Sequence, residues 1–188
     1  PDLVGDLRKI LSYGIGITGS FIVGFDHDGP DAFDLILDGV KQACLPAATI
    51  GLLRPFYGTN LWTRLRAEDR LVQLRTRAIP RAMQLAFLPK GMTRIELLEG
   101  LRRAADRLFD WTFIGERIRG WADLVVRPPE SGDRPMPLDR AVQMFRTGRN
   151  TMTIDDQGLR AVEETLAYVH EVAPFLINRA VSSILTND

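Results

Sequence analysis

Two short polar segments of the sequence combine residue types that could hold a ligand. Asp26, His27 and Asp28 directly follow an apolar run at residues 17–25, and Gly24 lies near the end of that run. Titratable groups beside a glycine are typical of the rim of a cofactor site, because a residue without a side chain lets a ligand or a neighbouring backbone approach closely. The simpler alternative is that Asp26 or Asp28 caps the helix that follows, which needs no ligand.

The second polar segment begins with Arg54 and follows another apolar run, at residues 47–53. Helical apolar spacing precedes, separates and follows the two runs, with Gly14 closing the first helix, Pro30 opening the second and residues 61–68 forming the third. This βαβ order predicts a parallel sheet with right-handed crossovers, whose strands are buried on both faces. Both polar segments then lie at the carboxyl ends of the strands, where parallel α/β folds bind their ligands.

Beyond residue 80 the apolar spacing predicts helices. A proline-rich loop at residues 127–137 separates two of them. The predicted helices start at the capping box Thr93–Glu96 and then cover residues 111–126, residues 137–149 and a final segment from Thr153 that breaks or kinks at Pro174. The sequence therefore predicts two regions, with the parallel strands in residues 1–80 and helices in residues 81–188.

The composition excludes several classes of function. The 188 residues carry no net charge, which argues against a nucleic-acid binder, and no apolar run approaches the roughly 18 residues of a membrane span. Cys44 is the one cysteine, which excludes an internal disulfide and a cysteine-held metal and favours a reducing cytoplasm and a small core residue. Because the chain begins at Pro1, without methionine and directly in a helical pattern, we expect it to be a fragment.

Three blocks of the sequence, in the right order, resemble the C-terminal part of cobalamin-binding-domain radical S-adenosylmethionine (SAM) enzymes. The blocks are YGIGITGSFIVGFDHDGPDAF, ATIGLLRPFYGTNLWTRLRAEDRL and AFLPKGMTRIELLEGLRRAADRLFDWTFIGERI, and together they cover about residues 5 to 120. The first two are similar to the fifth and sixth strands of the family's barrel, and the third to a helical extension in one branch of the family. The resemblance implies an α/β fold, with the last strands of a partial parallel (β/α) barrel in residues 1–80 and an all-helical C-terminal extension in residues 81–188.

The resemblance also implies which residues lie near the cofactor. Ser20, Ile22 and Gly24 lie on the fifth-strand motif, and Leu53 and Arg54 lie at the end of the sixth strand. In the family these two strands contact the adenosyl part of SAM. Ordinary barrel packing is an equal alternative for Ile22 and Leu53, whereas a charge at the end of a buried strand, such as Arg54, needs a partner or solvent. No catalytic residue and no metal ligand is assigned.

Asp26, His27 and Tyr57 are the candidates for facing the substrate, although a solvated loop residue is the simpler role for His27. Tyr57 stands where the family usually has a proline. Tryptophans at helical spacing are more often core residues than ligand contacts, but three of them could line a groove for a lipid-like substrate: Trp62, Trp111 and Trp121.

The resemblance therefore predicts the C-terminal segment of a cobalamin-dependent radical SAM enzyme that transfers methyl groups or forms or rearranges C–C bonds. It implies SAM, a [4Fe–4S] cluster and cobalamin for the full-length protein. None of them is expected in this chain, which lacks the C-x-x-x-C-x-x-C motif and should be inactive alone. Expected partners are the missing N-terminal part, a small-molecule or lipid-like substrate and, for an open barrel, a second copy. The alternative is a stand-alone interaction or scaffold domain without catalysis.

Overall fold

The chain folds into eight described helices and two strands. The computed structural model describes residues 2–72, 84–126, 134–148 and 154–185. In chain order the elements are α1 (Leu3–Leu11), β1 (Thr18–Val23), α2 (Ala32–Gln42), β2 (Ala47–Leu52), α3 (Asn60–Ala67), α4 (Arg94–Leu108), α5 (Trp111–Leu124), α6 (Leu138–Gly148), α7 (Asp156–Val172), a 3₁₀ turn (Pro174–Leu176) and α8 (Ile177–Leu185). About 60% of the described residues are helical.

The two strands form a parallel sheet in the described part of the chain, and helices follow it. The prediction of adjacent parallel strands at residues 17–25 and 47–53 is confirmed, as is the helical C-terminal region. Just beyond β2, the Leu53 N–H donates to the Val23 carbonyl over 2.8 Å, so the pairing continues to the end of β1. The mixed α/β class is therefore established, whereas its origin in a barrel remains a proposal.

The chain divides into two compact units. The first contains the described residues of 1–19, 37–49 and 106–188, and the second contains those of 20–36 and 50–105. Each unit contains segments from both sides of residue 80. The sheet and α2 are divided between the two units. The sequence-based division into residues 1–80 and 81–188 remains a prediction about the longer protein.

Helix α5 is the centre of the first unit. Trp121 on this helix is fully buried, and its Nε1–H donates to the Leu11 carbonyl over 3.2 Å. Arg117, one turn earlier, is also buried and donates to three backbone carbonyls, those of Leu45, Leu108 and Phe113, over 2.9–3.3 Å. A single guanidinium thus connects α5 to the segments that precede β2 and α5.

The second unit has its own apolar core around Phe33 and Phe87. The core residues come from both strands, from α2, α3 and α4, and from the segment just before α4: Val23, Phe33, Leu52, Leu65, Leu85, Phe87, Met92 and Leu97. Helix α4 begins with the predicted capping box, in which the Thr93 N–H donates to Glu96 Oε2 over 2.7 Å and the Glu96 N–H donates to Thr93 Oγ1 over 3.2 Å.

One element boundary differs from the sequence-based prediction. Helix α2 begins at Ala32, because a turn closed by the Ala32 N–H on the Gly29 carbonyl (3.1 Å) takes up Pro30. Helix α7 is capped within the predicted segment 153–156 by Asp155, whose Oδ1 accepts from the Gly158 N–H over 2.7 Å. Thr153 and residues 127–133 of the proline-rich loop lie outside the described residues. The predicted break at Pro174 is confirmed, since α7 ends at Val172 and a 3₁₀ turn follows.

No helix within the described ranges is long and apolar enough to cross a bilayer.

Candidate functional site

One face of β1 is exposed to solvent. Thr18, Ser20 and Ile22 alternate with the more deeply placed Phe21 and Val23, and Ile22 is 52% exposed. The prediction that this strand is buried on both faces is wrong, because the described elements cover only the face that carries Val23. Since alternate residues of a strand point to the same side, Ser20 and Ile22 share the open face. The structure thus brings two of the predicted cofactor-binding residues together.

Gly24 lies immediately after β1 in a backbone conformation that favours glycine. Its φ is +106°, and a Cβ atom placed on it would lie 2.9 Å from Cζ of Phe87 and 3.4 Å from Cδ2 of Leu97. The space beside Gly24 is therefore filled by core side chains of the same unit. This packing explains the glycine without a ligand on that side, and a contact of SAM with its backbone remains a proposal.

The carboxylate of Asp28 closes the turn after β1. Its Oδ2 accepts from the Gly24 N–H over 2.8 Å and from the Phe25 N–H over 2.9 Å. Asp28 therefore stabilises the positive φ of Gly24 through side-chain-to-backbone hydrogen bonds. A carboxylate four residues after a strand-ending glycine is the signal that could have indicated this role.

Asp26 is the centre of a charged cluster in the second unit. Its Oδ1 lies 2.8 Å from Nη2 of Arg70, its Oδ2 pairs with Arg64, and Nζ of Lys90 lies 3.9 Å away. Glu68 joins the cluster by accepting from Arg70 over 2.7 Å and lying 3.2 Å from the Lys90 ammonium. Three cations thus face two carboxylates, which leaves a net charge of one positive unit.

The charged cluster around Asp26 keeps both of its carboxylates ionised. The hydrogen bond from Arg70 is the largest cause that holds the pKa of Asp26 below its ordinary value, and Arg64 adds to it. Arg70 and then Lys90 likewise lower the pKa of Glu68. Asp26 is therefore suited to orienting cations, whereas a proton donor would need a raised pKa. The residue pattern of the two strand ends did not indicate Arg70, although a partly buried carboxylate requires a counterion.

The remaining loop residues present aromatic and cationic groups. Tyr57 is 85% exposed and packs edge-on against Trp62, with 4.7 Å between the ring centroids. Arg54 is half-buried, and its guanidinium lies 6.0 Å from the ring centroid of Phe56. His27 is exposed, as expected of a solvated loop residue. Asp26, His27 and Tyr57 all belong to the second unit, and their role towards a substrate remains a proposal.

Two of the three tryptophans pack within the first unit. Trp121 is fully buried, and Trp111 packs edge-on against Phe145 with 5.9 Å between ring centroids. Trp62 differs, because it lies on the partly exposed face of α3 beside Tyr57. Trp111 also lines a small open cavity with Asp110 and Asp155, so packing alone accounts fully only for Trp121.

The residues of this chain do not fit a binding site for a [4Fe–4S] cluster. Three thiolates are needed to hold a site-differentiated [4Fe–4S] cluster, and the sequence contains one cysteine. Cys44 is half-buried beside Arg8, and burial raises the pKa of its thiol. Among the described residues no group of three His, Cys, Asp or Glu side chains could hold a metal ion.

Comparison with known proteins gives one family and two relatives. The family described as a domain of unknown function (DUF4070) matches residues 59–185. The chain is 40% identical over 72 residues to the hopanoid C-2 methylase of Rhodopseudomonas palustris (strain TIE-1), which is 38% of this chain and 14% of the relative. It is 31% identical over 87 residues to an uncharacterized methyltransferase of Synechocystis sp., which is 46% of this chain and 16% of the relative.

The search of solved structures finds no significant match. The matched segments amount to 14% and 16% of the two relatives, so the chain spans a small part of each curated protein. Both relatives carry methyltransferase names, and with the family match they confirm the resemblance to the C-terminal part of cobalamin-dependent radical SAM enzymes.

Proposed function

On the premise that this chain belongs to the DUF4070 family, we propose that it is the C-terminal segment of a cobalamin-dependent radical SAM methyltransferase. The exposed face of β1 is the observation that carries this function. A strand at the centre of a parallel barrel has one side against the outer helices and the other towards the barrel interior. β1 has this asymmetry, and its open side is the side with Ser20 and Ile22.

The open face would bind the adenosyl part of SAM. Ile22 offers an exposed apolar surface for a flat base, and Leu53 follows β2 at the point where its N–H pairs with Val23. Gly24 would contribute its backbone and Arg54 its charge at the rim. When bound, the cofactors supply the radical and methyl-transfer chemistry, and these residues position SAM.

The [4Fe–4S] cluster and cobalamin would be held by parts of a longer protein outside this sequence. The single cysteine of this chain and its small coverage of both relatives support this assignment. We therefore expect residues 1–80 to complete a barrel and residues 81–188 to extend it, and we expect the chain alone to be inactive. The cytoplasmic location inferred from the cysteine content remains a prediction.

The substrate would be a hydrophobic small molecule. One relative is named for the methylation of a hopanoid at C-2, and the loop after β2 exposes the aromatic rings of Phe56 and Tyr57. Asp26 and its cluster would then fix the shape of the loops on the substrate side. Tyr57 would contact the apolar body of the substrate, and His27 would face the substrate from the loop after β1.

Replacement of Ile22 in the longer protein tests the proposed SAM contact. Ile22→Asp places a charge on the open face, and its exposure means that the fold should tolerate the change. Leu35→Asp is the matched control, since Leu35 is 66% exposed and lies on α2, not on β1. We expect SAM binding, measured by isothermal titration calorimetry, to weaken at least about tenfold for Ile22→Asp and not for Leu35→Asp. Equal SAM affinity of both variants would show that the face of β1 with Ile22 does not bind SAM.

A further inference from the structure

The loop between β2 and α3 projects an aromatic surface into solvent. Phe56 is 65% exposed and Tyr57 is 85% exposed, and Trp62 packs against Tyr57 on the first turns of α3. Folded proteins rarely leave adjacent aromatic side chains uncovered without a binding function. We call Arg54, Phe56, Tyr57, Trp62 and Arg66 the loop surface.

Two arginines flank these rings. The Arg54 guanidinium lies 6.0 Å from the Phe56 centroid, and that of Arg66 lies 5.2 Å from the Trp62 centroid. The sequence from residue 47 to residue 67 contains three arginines and no Asp or Glu. One of the three, Arg64, is engaged by Asp26. The loop surface is therefore apolar in its middle and cationic at its edges.

The loop holds its rings in a fixed turn. Thr59 Oγ1 donates to the Phe56 carbonyl over 2.7 Å and accepts from the Trp62 N–H over 3.3 Å, so one side chain ties the loop to the start of α3. Gly58 takes a φ of +82°, which a residue with a side chain rarely adopts. Because the turn is ordered, the exposed rings are presented together.

We propose that the loop surface binds the headgroup layer of an anionic lipid bilayer. Aromatic side chains prefer the boundary between headgroups and acyl chains, while arginines beside them attract anionic lipids. Because residues 47–67 contain no carboxylate, the charge of the loop surface is complementary to that of anionic headgroups. A protein partner would instead need pockets on its own surface to receive the exposed rings. Arg54 and Tyr57 also belong to the proposed cofactor and substrate site, so the inference rests on the proposed function and deepens it by placing the mouth of that site at the membrane surface.

Vesicle co-sedimentation of the 188-residue chain tests this proposal. Vesicles of phosphatidylcholine alone are compared with vesicles of equal parts phosphatidylcholine and phosphatidylglycerol. We expect binding to the mixed vesicles and little binding to phosphatidylcholine. Each interfacial arginine contributes about 1 kcal/mol, so Arg54→Gln/Arg66→Gln should weaken binding to the mixed vesicles roughly thirtyfold. Phe56→Ser/Tyr57→Ser should weaken it at least about tenfold.

Matched controls lie elsewhere on the second unit. Leu35→Ser/Ile95→Ser removes two exposed apolar side chains from α2 and α4, and Arg103→Gln removes an exposed arginine from α4. These variants should bind vesicles like the unchanged chain, and circular dichroism should show the same helix content for all variants. The proposal is overturned if the unchanged chain does not bind mixed vesicles, or if the loop-surface variants bind as well as the controls. The assay contains no SAM, so its result is independent of the proposed methyl transfer.

Discussion

Gly24 satisfies two constraints that no other residue meets. Its φ of +106° disfavours every residue with a side chain, and Phe87 occupies the place of a Cβ atom. We expect Gly24→Ala to lower the free energy of unfolding by about 2–4 kcal/mol, measured by urea unfolding. Gly39→Ala is the control, since Gly39 lies within α2 with nothing near its Cβ position, and there alanine should stabilise by about 0.5–1 kcal/mol. A neutral Gly24→Ala would refute the packing argument.

Asp26 should make the stability of the second unit depend on pH. A carboxyl group whose pKa is lowered on folding adds stability above its unfolded pKa of about 3.9, and this stability is lost as the pH falls through the folded pKa. We expect Asp26→Asn to cost about 1–3 kcal/mol at pH 7, because Arg70 loses a charged acceptor. The difference from the unchanged protein should shrink steadily below about pH 5.

Urea unfolding at pH 7, 5 and 3 measures this dependence. Asp38→Asn, at an exposed position of α2, serves as the control and should change little. A difference between the unchanged protein and Asp26→Asn that stays constant down to pH 3 would show that the Asp26 pairs do not contribute through their charge.

Only part of the candidate site could be predicted from local sequence. The polar residues after each strand follow from the strand pattern, so Asp26 and Arg54 were identified at once. Arg70 is 44 residues from Asp26, and Phe87 is 63 residues from Gly24. These partners are set by tertiary packing, which single-sequence periodicity does not describe. The role of Gly24 in core packing was missed for this reason.

Elements were easier to predict than contacts. Caps and apolar periodicity act within a few residues, so the helix that starts after Thr93 and the break at Pro174 follow directly from the sequence. Burial of β1 on both faces was predicted wrongly, because an apolar strand indicates that both faces can be covered, whereas the described elements cover one of them. Which face of β1 stays exposed depends on the elements that pack against the strand, and these follow only from the tertiary structure.

Arg117 should be the least replaceable charge of the helical part. Burial lowers its pKa to about 10, with a smaller contribution from Arg107, and its guanidinium still donates to carbonyls of three segments. Lysine carries a point charge that cannot reach all three. We therefore expect Arg117→Lys to lower the free energy of unfolding by about 2–4 kcal/mol, measured by urea unfolding.

Arg160→Lys is the matched control, since Arg160 is exposed on α7. It should change stability by less than about 0.5 kcal/mol. A similarly small effect of Arg117→Lys would mean that the buried guanidinium does not hold α5 in place.

At the scale of the whole molecule, the open face of β1 should cause self-association. Ile22 and Phe25 are about half exposed, and an uncovered strand face favours contact with a second copy. We expect sedimentation velocity to show a larger species as the concentration of the chain rises, and Ile22→Ser to reduce it. A monomer at every concentration would contradict this expectation.

The central claim is that this chain completes a radical SAM methyltransferase whose cluster lies in another part of the protein. Anaerobic reconstitution with iron and sulfide, followed by assay of 5′-deoxyadenosine from SAM, measures it most directly. The product of the full reading frame should bind a [4Fe–4S] cluster and release 5′-deoxyadenosine, whereas the 188-residue chain should do neither. A full-length product that binds no cluster and leaves SAM uncleaved would contradict the account, and so would turnover by the chain alone.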